Sequence, residues 1–457
     1  MRQLDEAIFE GKKVTEKPGT GLRSIIFDSD REPMKPDWIV IFLPTVLAVF
    51  PIHAKGGLLL TGLAVATAYL RKPEGAFQSR PGPIVALISA ATLSFGRPEN
   101  LYTLLIFLMI SLLVFRLIAT VDARSIISSL IDGCGLYLVI NVVTYAVGFR
   151  SSAYNVRIGG LVESSGFERI LFPLAGSINI PPAVAAVFVV GFPFVFSEKG
   201  ALRRALRSLA LLAAAFVMVS AGSRSSIIVS AAILVIVFST PGATRWLAQA
   251  ATALAATFAF LFPLLSNGLQ FAVAPMKALS PGRSTSAETV LSLQGRDRIW
   301  ASSIKYWQEW VNDLPSKALG FGASGQYRSG ASGSYSTLLE GTVRNPERSY
   351  VHNSFLQQLF DGGVIGFAVL AVAAFWAGER LAKRRTDWGT YAIAGTVGLT
   401  VVVLVGITEV TVAPGPAQLT FWVFMIFVGA SCQAGEKPRT GSRLAIRQPL
   451  AVSRHQL

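Results

Sequence analysis

One stretch decides the fold: residues 349–366, which read SYVHNSFLQQLFDGGVIG. It closes a long polar segment and opens an apolar run. From Phe355 onward the apolar residues stand at helical spacing, while glutamine and aspartate occupy the other side of the helix. Asn353 or Ser354 predicts the helix start, because both residue types cap the first turn of a helix. The stretch is therefore predicted to lead from water into a membrane-spanning helix.

The composition points to the same environment. The chain has 457 residues, of which 52% are hydrophobic and only 15% are charged, and its mean hydropathy is +0.52. A soluble protein could not bury so much apolar surface, and apolar runs close to twenty residues in length recur along the chain. We therefore expect an all-α polytopic membrane protein and exclude a soluble globular domain.

About twelve membrane spans can be delineated from the apolar runs. We predict them at 38–53, 56–70, 83–96, 100–121, 125–147, 181–197, 208–222, 224–240, 245–266, 355–377, 391–408 and 417–433. The convincing internal repeat that is typical of inverted-repeat transporters is not found between the two halves of the chain.

The basic residues set the predicted orientation. The net charge is +15, and lysine and arginine concentrate in both tails and in alternate loops, which the positive-inside rule assigns to the cytoplasm. This distribution explains the charge without a nucleic-acid partner. The predicted inner loops carry Arg71, Lys72, Arg80, Arg124, Lys199, Arg203, Arg204, Arg207, Arg245, Arg380, Lys383, Arg384 and Arg385.

The predicted organisation follows from these spans. It comprises a cytoplasmic tail at 1–36 without the apolar core of a cleavable signal peptide, helices 1–9 at 37–266 with an outer loop at 148–180, a large periplasmic loop at 267–354, helices 10–12 at 355–433, and a cytoplasmic tail at 434–457. Loops of this length are usually functional or disordered.

Within the large loop, an apolar helical face is formed by Trp300, Ile304, Trp307, Val311 and Leu314, which recur three or four residues apart. Such a Trp-rich face is typical of helices that lie at the membrane interface. Further on, residues 320–325 fit the G-x-G-x-x-G pattern, but they follow no predicted strand. A dinucleotide site is therefore not expected there, and we interpret this segment as a flexible loop.

The opening stretch also resembles a known family. Its HN-S-F-L-Q core, followed by a Gly-Val-Ile-Gly segment, is similar to the O-antigen ligase and O-antigen polymerase superfamily. Those membrane glycosyltransferases move glycans from an undecaprenyl diphosphate carrier. The resemblance covers mainly residues 215–370, and it implies a C-type glycosyltransferase-like architecture in the bacterial inner membrane, with an active site that faces the periplasm.

His352 is the first predicted catalytic residue. A histidine in a loop is commonly an ordinary polar surface residue, yet histidine is also the side chain that most readily accepts a proton near neutral pH. Glycosyl transfer requires that the acceptor hydroxyl be deprotonated as it attacks the anomeric carbon. The resemblance implies that His352 performs this step.

Two arginines are predicted to act with it. Arg224, between two apolar spans, could simply extend from a helix end to the lipid headgroups, but a charge within the membrane favours function. Arg296 precedes Trp300 in a Gly-Arg…Trp pattern, and Arg298 is the alternative; either could be ordinary loop charge. A guanidinium can grip diphosphate oxygens with two hydrogen bonds, and the resemblance implies this role for Arg224 and Arg296.

Other residues are assigned less specific roles. We predict substrate binding for Arg298, Asn353, Glu409, Arg157 and Arg169. Glu409 lies at the outer end of a span and Asp132 inside another, and either could pair with an arginine or order the acceptor. Cys134 and Cys432 lie in apolar runs, which favours neither a disulfide framework nor a metal cluster. The sequence therefore predicts no metal site and no other cofactor.

The functional prediction is periplasm-facing transfer of a glycan from an undecaprenyl-diphosphate-linked donor to a lipid A core or a lipid-linked glycan. The first acceptor would make the protein an O-antigen ligase and the second a surface-polysaccharide polymerase. A single displacement would invert the anomeric centre. The alternative is a polysaccharide flippase or other membrane transporter, which should carry its charges along a central cavity inside the spans.

Overall fold

The computed structural model describes residues 35–71, 79–95, 101–150, 170–196, 200–265, 295–336, 349–415 and 417–433. Within these ranges the regular secondary structure is helical, and one isolated antiparallel bridge joins Ser79 to Gln433. The prediction of an all-α chain is thus confirmed for the part of the protein that the structure describes.

The helices occur in three groups along the chain. The first group comprises α1 (Trp38–Ala48), α2 (Ala54–Leu70), α3 (Gly82–Phe95), α4 (Leu101–Thr120), α5 (Ala123–Ala146), α6 (Ile180–Val195), α7 (Ala201–Ser220), α8 (Arg224–Ser239) and α9 (Leu247–Leu265). The second comprises α10 (Arg296–Trp310), α11 (Leu314–Leu319) and α12 (Gly325–Arg328). The third comprises α13 (Ser354–Lys383), α14 (Arg385–Trp388), α15 (Thr390–Val405) and α16 (Leu419–Ser431), and two 3₁₀ turns lie at Pro241–Arg245 and Ala331–Ser334.

A helix stands at the place of each predicted span. Three of them, α4, α5 and α13, are long and apolar enough to cross a membrane by length and composition. These helices and the shorter apolar ones identify an all-α membrane protein. The largest boundary difference concerns α7, which begins at Ala201 rather than at residue 208.

The early start of α7 has a physical cause. Its first turns carry Arg203 and Arg207, which pair with Asp132 of α5: Arg203 Nη2 lies 2.5 Å and Arg207 Nε 2.6 Å from its carboxylate oxygens. Because both arginines are paired with a carboxylate within the bundle, the helix can continue through them. The pairing of Asp132 with an arginine, one of the two roles considered for it, is confirmed.

The centre of the bundle is formed by α15 and α16. All 13 residues of α16 are buried, and of the residues of α15 only Leu404 is not. Both helices are apolar on every face, which is the pattern of a helix surrounded by protein. α15 packs against α6, α9 and α13, and this packing brings sequence-distant helix ends together at one end of the bundle.

Helix α13 is interrupted near its start. Gly363 has φ 65° and ψ −166°, which is not a helical conformation. A Cβ at this position would collide with the backbone of Ala318 and Gly320, so glycine is required both by the dihedral angles and by the close approach. The interruption frees carbonyl groups that α13 would otherwise use internally.

Residues 320–325 occupy that interruption. The N–H groups of Phe321 and Gly322 donate to the carbonyl oxygens of Phe360 and Asp361 at 2.8 and 3.0 Å, and Gly325 N donates to the Asp361 carboxylate at 2.7 Å. The interpretation of this glycine-rich segment as a flexible loop is therefore wrong. Its glycines allow the backbone to approach the broken helix closely.

Candidate active site

Glu409 is the centre of a polar cluster at one end of the bundle. Its Oε1 lies 2.5 Å from Arg296 Nη2, and its Oε2 accepts a hydrogen bond of 2.6 Å from Asn179 Nδ2. His352 Nδ1 lies 3.6 Å from the same Oε2, which is an ion-pair distance but is too long for a hydrogen bond. The cluster thus joins residues from the start of α6, the start of α10, the loop before α13 and the end of α15. Of the two roles considered for Glu409, pairing with an arginine is confirmed.

The loop that carries His352 is held by hydrogen bonds on both sides. Trp300 Nε1 donates to the carbonyl oxygen of Val351 at 2.9 Å, and Tyr335 Oη donates to that of Ser349 at 2.7 Å. Burial raises the pKa of the Tyr335 phenol, which keeps it protonated as a donor. His352 itself has φ 50°, a left-handed conformation that is uncommon outside glycine. The surrounding bonds maintain this strained conformation, which is common at functional sites.

Asn353 caps helix α13, as the sequence suggested. Its Oδ1 accepts from Leu356 N at 2.8 Å, and its Nδ2 donates to the Ile407 carbonyl at 3.0 Å. The residue is fully buried. Because both polar atoms are engaged inside the protein, the geometry favours a capping role over the direct substrate contact that was predicted.

Ser354 fastens the other side of the cap to the segment that carries Glu409. Its hydroxyl donates to the Glu409 carbonyl at 2.9 Å and accepts from the N–H groups of Thr411 and Val412 at 2.8 and 3.1 Å. Its own N–H donates to Gly406 at 2.8 Å. The distance between His352 and Glu409 is therefore set by backbone bonds as well as by their side chains.

A buried polar network continues from the His352 loop into the broken helix. Gln357 Nε2 donates to Asp361 Oδ1 at 2.8 Å and to Gln326 Oε1 at 2.7 Å, and Gln357 Oε1 lies 3.5 Å from Val351 N. Gln326, Gln357 and Asp361 are all buried. A connected polar network in a protein interior fixes one arrangement of its members. Here the network holds the loop that carries His352 against the broken helix α13.

Helix α10 positions Arg296. The indole of Trp300 packs edge-on against Phe258 and Phe262 of α9, and that of Trp307 packs edge-on against Phe360 of α13. The prediction that this apolar face lies on the membrane interface is thus wrong for Trp300, because protein covers it, whereas Trp307 is half-buried. The helix also ends at Trp310, before Val311 and Leu314. The periodicity of an apolar face does not indicate whether lipid or protein will cover it.

The two predicted loop arginines occupy different environments. The Arg296 side chain is 19% exposed and contacts Glu409, whereas Arg298 is exposed at the surface. The structure therefore brings Arg296, the first choice of the two, next to His352. One carboxylate contact leaves donors of the guanidinium for an anion, because this group carries five N–H bonds.

Arg224 lies at the same end of the bundle. It is the first residue of α8 and follows the turn at Gly222. α6 begins beside Glu409, and at its other end the Val195 carbonyl accepts a hydrogen bond from Arg207 in the first turns of α7. α7 then runs back toward the end of the bundle where Glu409 lies, and the turn before Arg224 follows it. Arg224 is half-buried, and its Nε and Nη2 atoms are shielded from solvent.

Arg157 and Arg169 lie outside the described residues. Asn179, Gln357 and Asp361 belong to the cluster and its support, although the sequence did not single out any of them as a functional residue. Asn179 stands just before Pro181 at the start of α6, and this Asn-x-Pro helix-start signal could have placed it at the outer end of a span. Among the described residues, no group of three histidine, cysteine or acidic side chains could hold a metal ion.

The comparisons with known proteins bear on this region. A comparison with curated proteins gives no match. Residues 209–371 match the family model described as "O-Antigen ligase". The matched segment runs from α7 through Arg224, Arg296 and His352 to α13. The resemblance stated from the sequence is confirmed for this segment: residues 209–371 match an O-antigen ligase domain, which supports the O-antigen ligase and polymerase superfamily.

Proposed function

We propose that the protein transfers a glycan from undecaprenyl diphosphate to an acceptor glycolipid at the Glu409 end of the helix bundle. A function of the O-antigen ligase or polymerase type is supported by the matched family domain. The observation that carries the finer proposal is the carboxylate of Glu409, which contacts Arg296 and lies 3.6 Å from His352. The Glu409 carboxylate thereby holds the cation that would bind the leaving group, Arg296, close to the base that would activate the nucleophile, His352.

Arg296 and Arg224 bind the donor in this proposal. A diphosphate is charged in the bound donor and gains further charge as the glycosidic bond breaks. Guanidinium groups that are already fixed near the developing charge stabilise it more in the transition state than in the ground state. Arg296 is held by Glu409, and Arg224 is fixed at the start of α8. The lipid tail of the carrier would enter sideways from the bilayer.

His352 acts as the base. Its Nδ1 is the ring nitrogen near Glu409, so Nε2 is the nitrogen available to the acceptor hydroxyl. A carboxylate on one side of an imidazole orients the ring and stabilises the protonated form as the other nitrogen takes a proton. The acceptor oxygen then attacks the anomeric carbon, the bond to the diphosphate breaks, and the anomeric centre is inverted.

The membrane arrangement belongs to the proposal as well. We propose about twelve spans in a C-type glycosyltransferase-like architecture, in the bacterial inner membrane, with both tails in the cytoplasm and residues 267–354 in the periplasm. The basic loops support this orientation through the positive-inside rule. The Glu409 cluster then faces the periplasm.

The second candidate is a flippase or other transporter. The Asp132 cluster with Arg203 and Arg207 is the observation that would favour it, since transporters carry ionisable groups within their spans. Within this cluster, however, two arginines surround one carboxylate at 2.5 and 2.6 Å. Because these three side chains are already bonded to one another, the cluster favours a structural role.

The experiment that separates the two candidates uses purified protein in proteoliposomes. They contain a lipid-linked glycan donor and either lipid A core or a second lipid-linked glycan as acceptor, in excess EDTA. We expect a transferred product and release of undecaprenyl diphosphate, and the productive acceptor decides between ligase and polymerase. Movement of donor across the bilayer without transfer would support the transporter. Activity that is lost in EDTA and restored by Mg²⁺ would overturn the arginine-based mechanism.

A further inference from the structure

A second basic site lies at the other end of the bundle. α13 begins at the Glu409 cluster, and beyond its interruption at Gly363 it runs away from the cluster for a further 20 residues, or about 30 Å at 1.5 Å per residue. Near its far end a cleft of about 110 Å³ is lined by Arg80, Trp376, Arg380, Arg384 and residues 431–433. The proposed reaction uses none of these residues.

The floor of the cleft is rigidly built. The Gln433 side chain donates to the carbonyl groups of Ile118 and Val121 at 2.7 and 2.6 Å and accepts from Ala123 N at 2.7 Å. Arg80 N donates to the Cys432 carbonyl at 2.8 Å. These bonds fix the end of α16 against its neighbours, so the arginine backbones around the cleft are held at defined positions.

The charge around the cleft is strongly positive. Among the residues that the structure describes, three guanidinium groups and no carboxylate line it. Arg384 contacts the exposed Asp387 at 3.2 Å and the Gln433 carbonyl at 3.3 Å, while the Arg380 guanidinium lies 5.2 Å from the centre of the Trp376 ring. Like charges that line one cleft repel each other, and an anion bound between them lowers that repulsion. Guanidinium groups match phosphate oxygens with paired hydrogen bonds.

The surface beside the cleft is suited to a lipid. Val372, Trp376 and Arg380 stand four residues apart on α13 and therefore share one face. Val372 is 66% exposed and the neighbouring Phe375 is 47% exposed. An apolar strip thus leads along the helix to a tryptophan and then to the arginines. The apolar strip, the tryptophan and the arginines follow the order of acyl chain, membrane interface and headgroup in a phospholipid. A free phosphate would contact only the arginines.

We propose that this cleft binds the phosphodiester headgroup of an anionic phospholipid from the leaflet at this end of the bundle. Arg80 and Arg380 contact the phosphate, Trp376 lies at the level of the glycerol backbone, and the acyl chains follow Val372 and Phe375. The bound lipid joins the segment before α3 to α13 and α16.

The test measures lipid retention on the full-length protein. Wild type and the Arg80→Gln/Arg380→Gln variant are reconstituted in phosphatidylcholine with a minor fraction of phosphatidylglycerol, transferred to mild detergent and examined by native mass spectrometry. The matched control is Arg204→Gln/Arg245→Gln, which removes the same charge from two exposed arginines outside the cleft. We expect wild type and control to retain phosphatidylglycerol and the cleft variant to bind it about tenfold or more weakly, a conservative figure for the loss of two charge-assisted contacts.

Two further arms make the outcome decisive. Thermal unfolding in phosphatidylcholine alone reports whether the variants fold, and Arg80→Gln alone, at an exposed position, replaces the double variant if needed. Inorganic phosphate added to the wild-type protein should not displace the bound phosphatidylglycerol. If the control variant loses as much lipid as the cleft variant, lipid retention depends on overall charge and not on the cleft. If the cleft variant retains as much lipid as wild type, the cleft is not the binding site. If inorganic phosphate stabilises the protein as much as the lipid does, the cleft is a free-phosphate site. Each of these three results overturns the proposal.

Discussion

Arg296 and Glu409 lie 113 positions apart in the chain and meet at 2.5 Å. This ion pair joins the first turn of α10, outside the apolar spans, to the end of the buried helix α15. His352 stands beside the same carboxylate. Glu409 therefore couples the position of the proposed donor-binding cation to that of the proposed base.

The first prediction concerns this coupling. Glu409→Gln keeps the shape of the side chain and removes its charge, so Arg296 loses a charge-assisted hydrogen bond and His352 loses its neighbouring anion. We expect transfer to fall about ten- to a hundredfold, in line with the 1.5–3 kcal/mol of a charged hydrogen bond. Glu379→Gln is the control, because Glu379 pairs with the exposed Lys383 at the far end of α13. Steady-state transfer rates of both variants are the measurement, and equal losses would remove the special role of Glu409.

The second prediction separates the two loop arginines. Arg296→Lys keeps the charge but cannot reproduce the paired hydrogen bonds of a guanidinium to phosphate. Donor binding should therefore fall about tenfold or more, the equivalent of one lost charge-assisted bond. Arg298→Lys, at an exposed position two residues away, should bind donor as wild type does. A larger loss for Arg298→Lys than for Arg296→Lys in the same equilibrium binding assay would transfer the role to Arg298.

The third prediction tests the segment docked in the broken helix. A Cβ at Gly325 would collide with the Phe360 carbonyl, whereas one at Gly333, in the same segment between α9 and α13, meets nothing within 4 Å. Gly325→Ala should lower stability by about 1–3 kcal/mol, the usual cost of overpacking. Gly333→Ala should leave it nearly unchanged. Thermal melting of both variants in one detergent is the measurement, and indistinguishable melting temperatures would mean that the docking is not maintained in solution.

The contrast between these glycines shows what could be predicted from the sequence and what could not. Apolar runs located the helix at each predicted span, and the Asn353 cap was predictable because capping is a local property of the chain. The docking of residues 320–325 was not, because nothing in their local pattern encodes the carbonyl groups freed at Gly363. The contact between Asn179 and Glu409 spans 230 positions, and such a pair leaves no periodic signal in a single sequence.

The fourth prediction concerns orientation. Lys305 on α10 and Thr386 on α14 are both exposed, and the native Cys134 and Cys432 are buried. In intact spheroplasts an impermeant thiol reagent should label Lys305→Cys but not Thr386→Cys, because the basic loops assign Thr386 to the cytoplasm. Permeabilised cells, in which both should react, provide the control. The opposite labelling pattern would reverse the proposed topology.

The measurement that tests the central proposal most directly compares His352→Ala with Arg296→Ala. Equilibrium binding of the lipid-linked donor and single-turnover transfer are determined for each. If His352 is the base, His352→Ala binds donor as wild type does and loses about 10²–10⁴-fold in transfer rate, the range for a removed general base. Arg296→Ala should lose donor binding as well as rate. If His352→Ala loses donor binding as severely as Arg296→Ala, His352 is a diphosphate ligand, and the base must be sought elsewhere, beginning with Glu409.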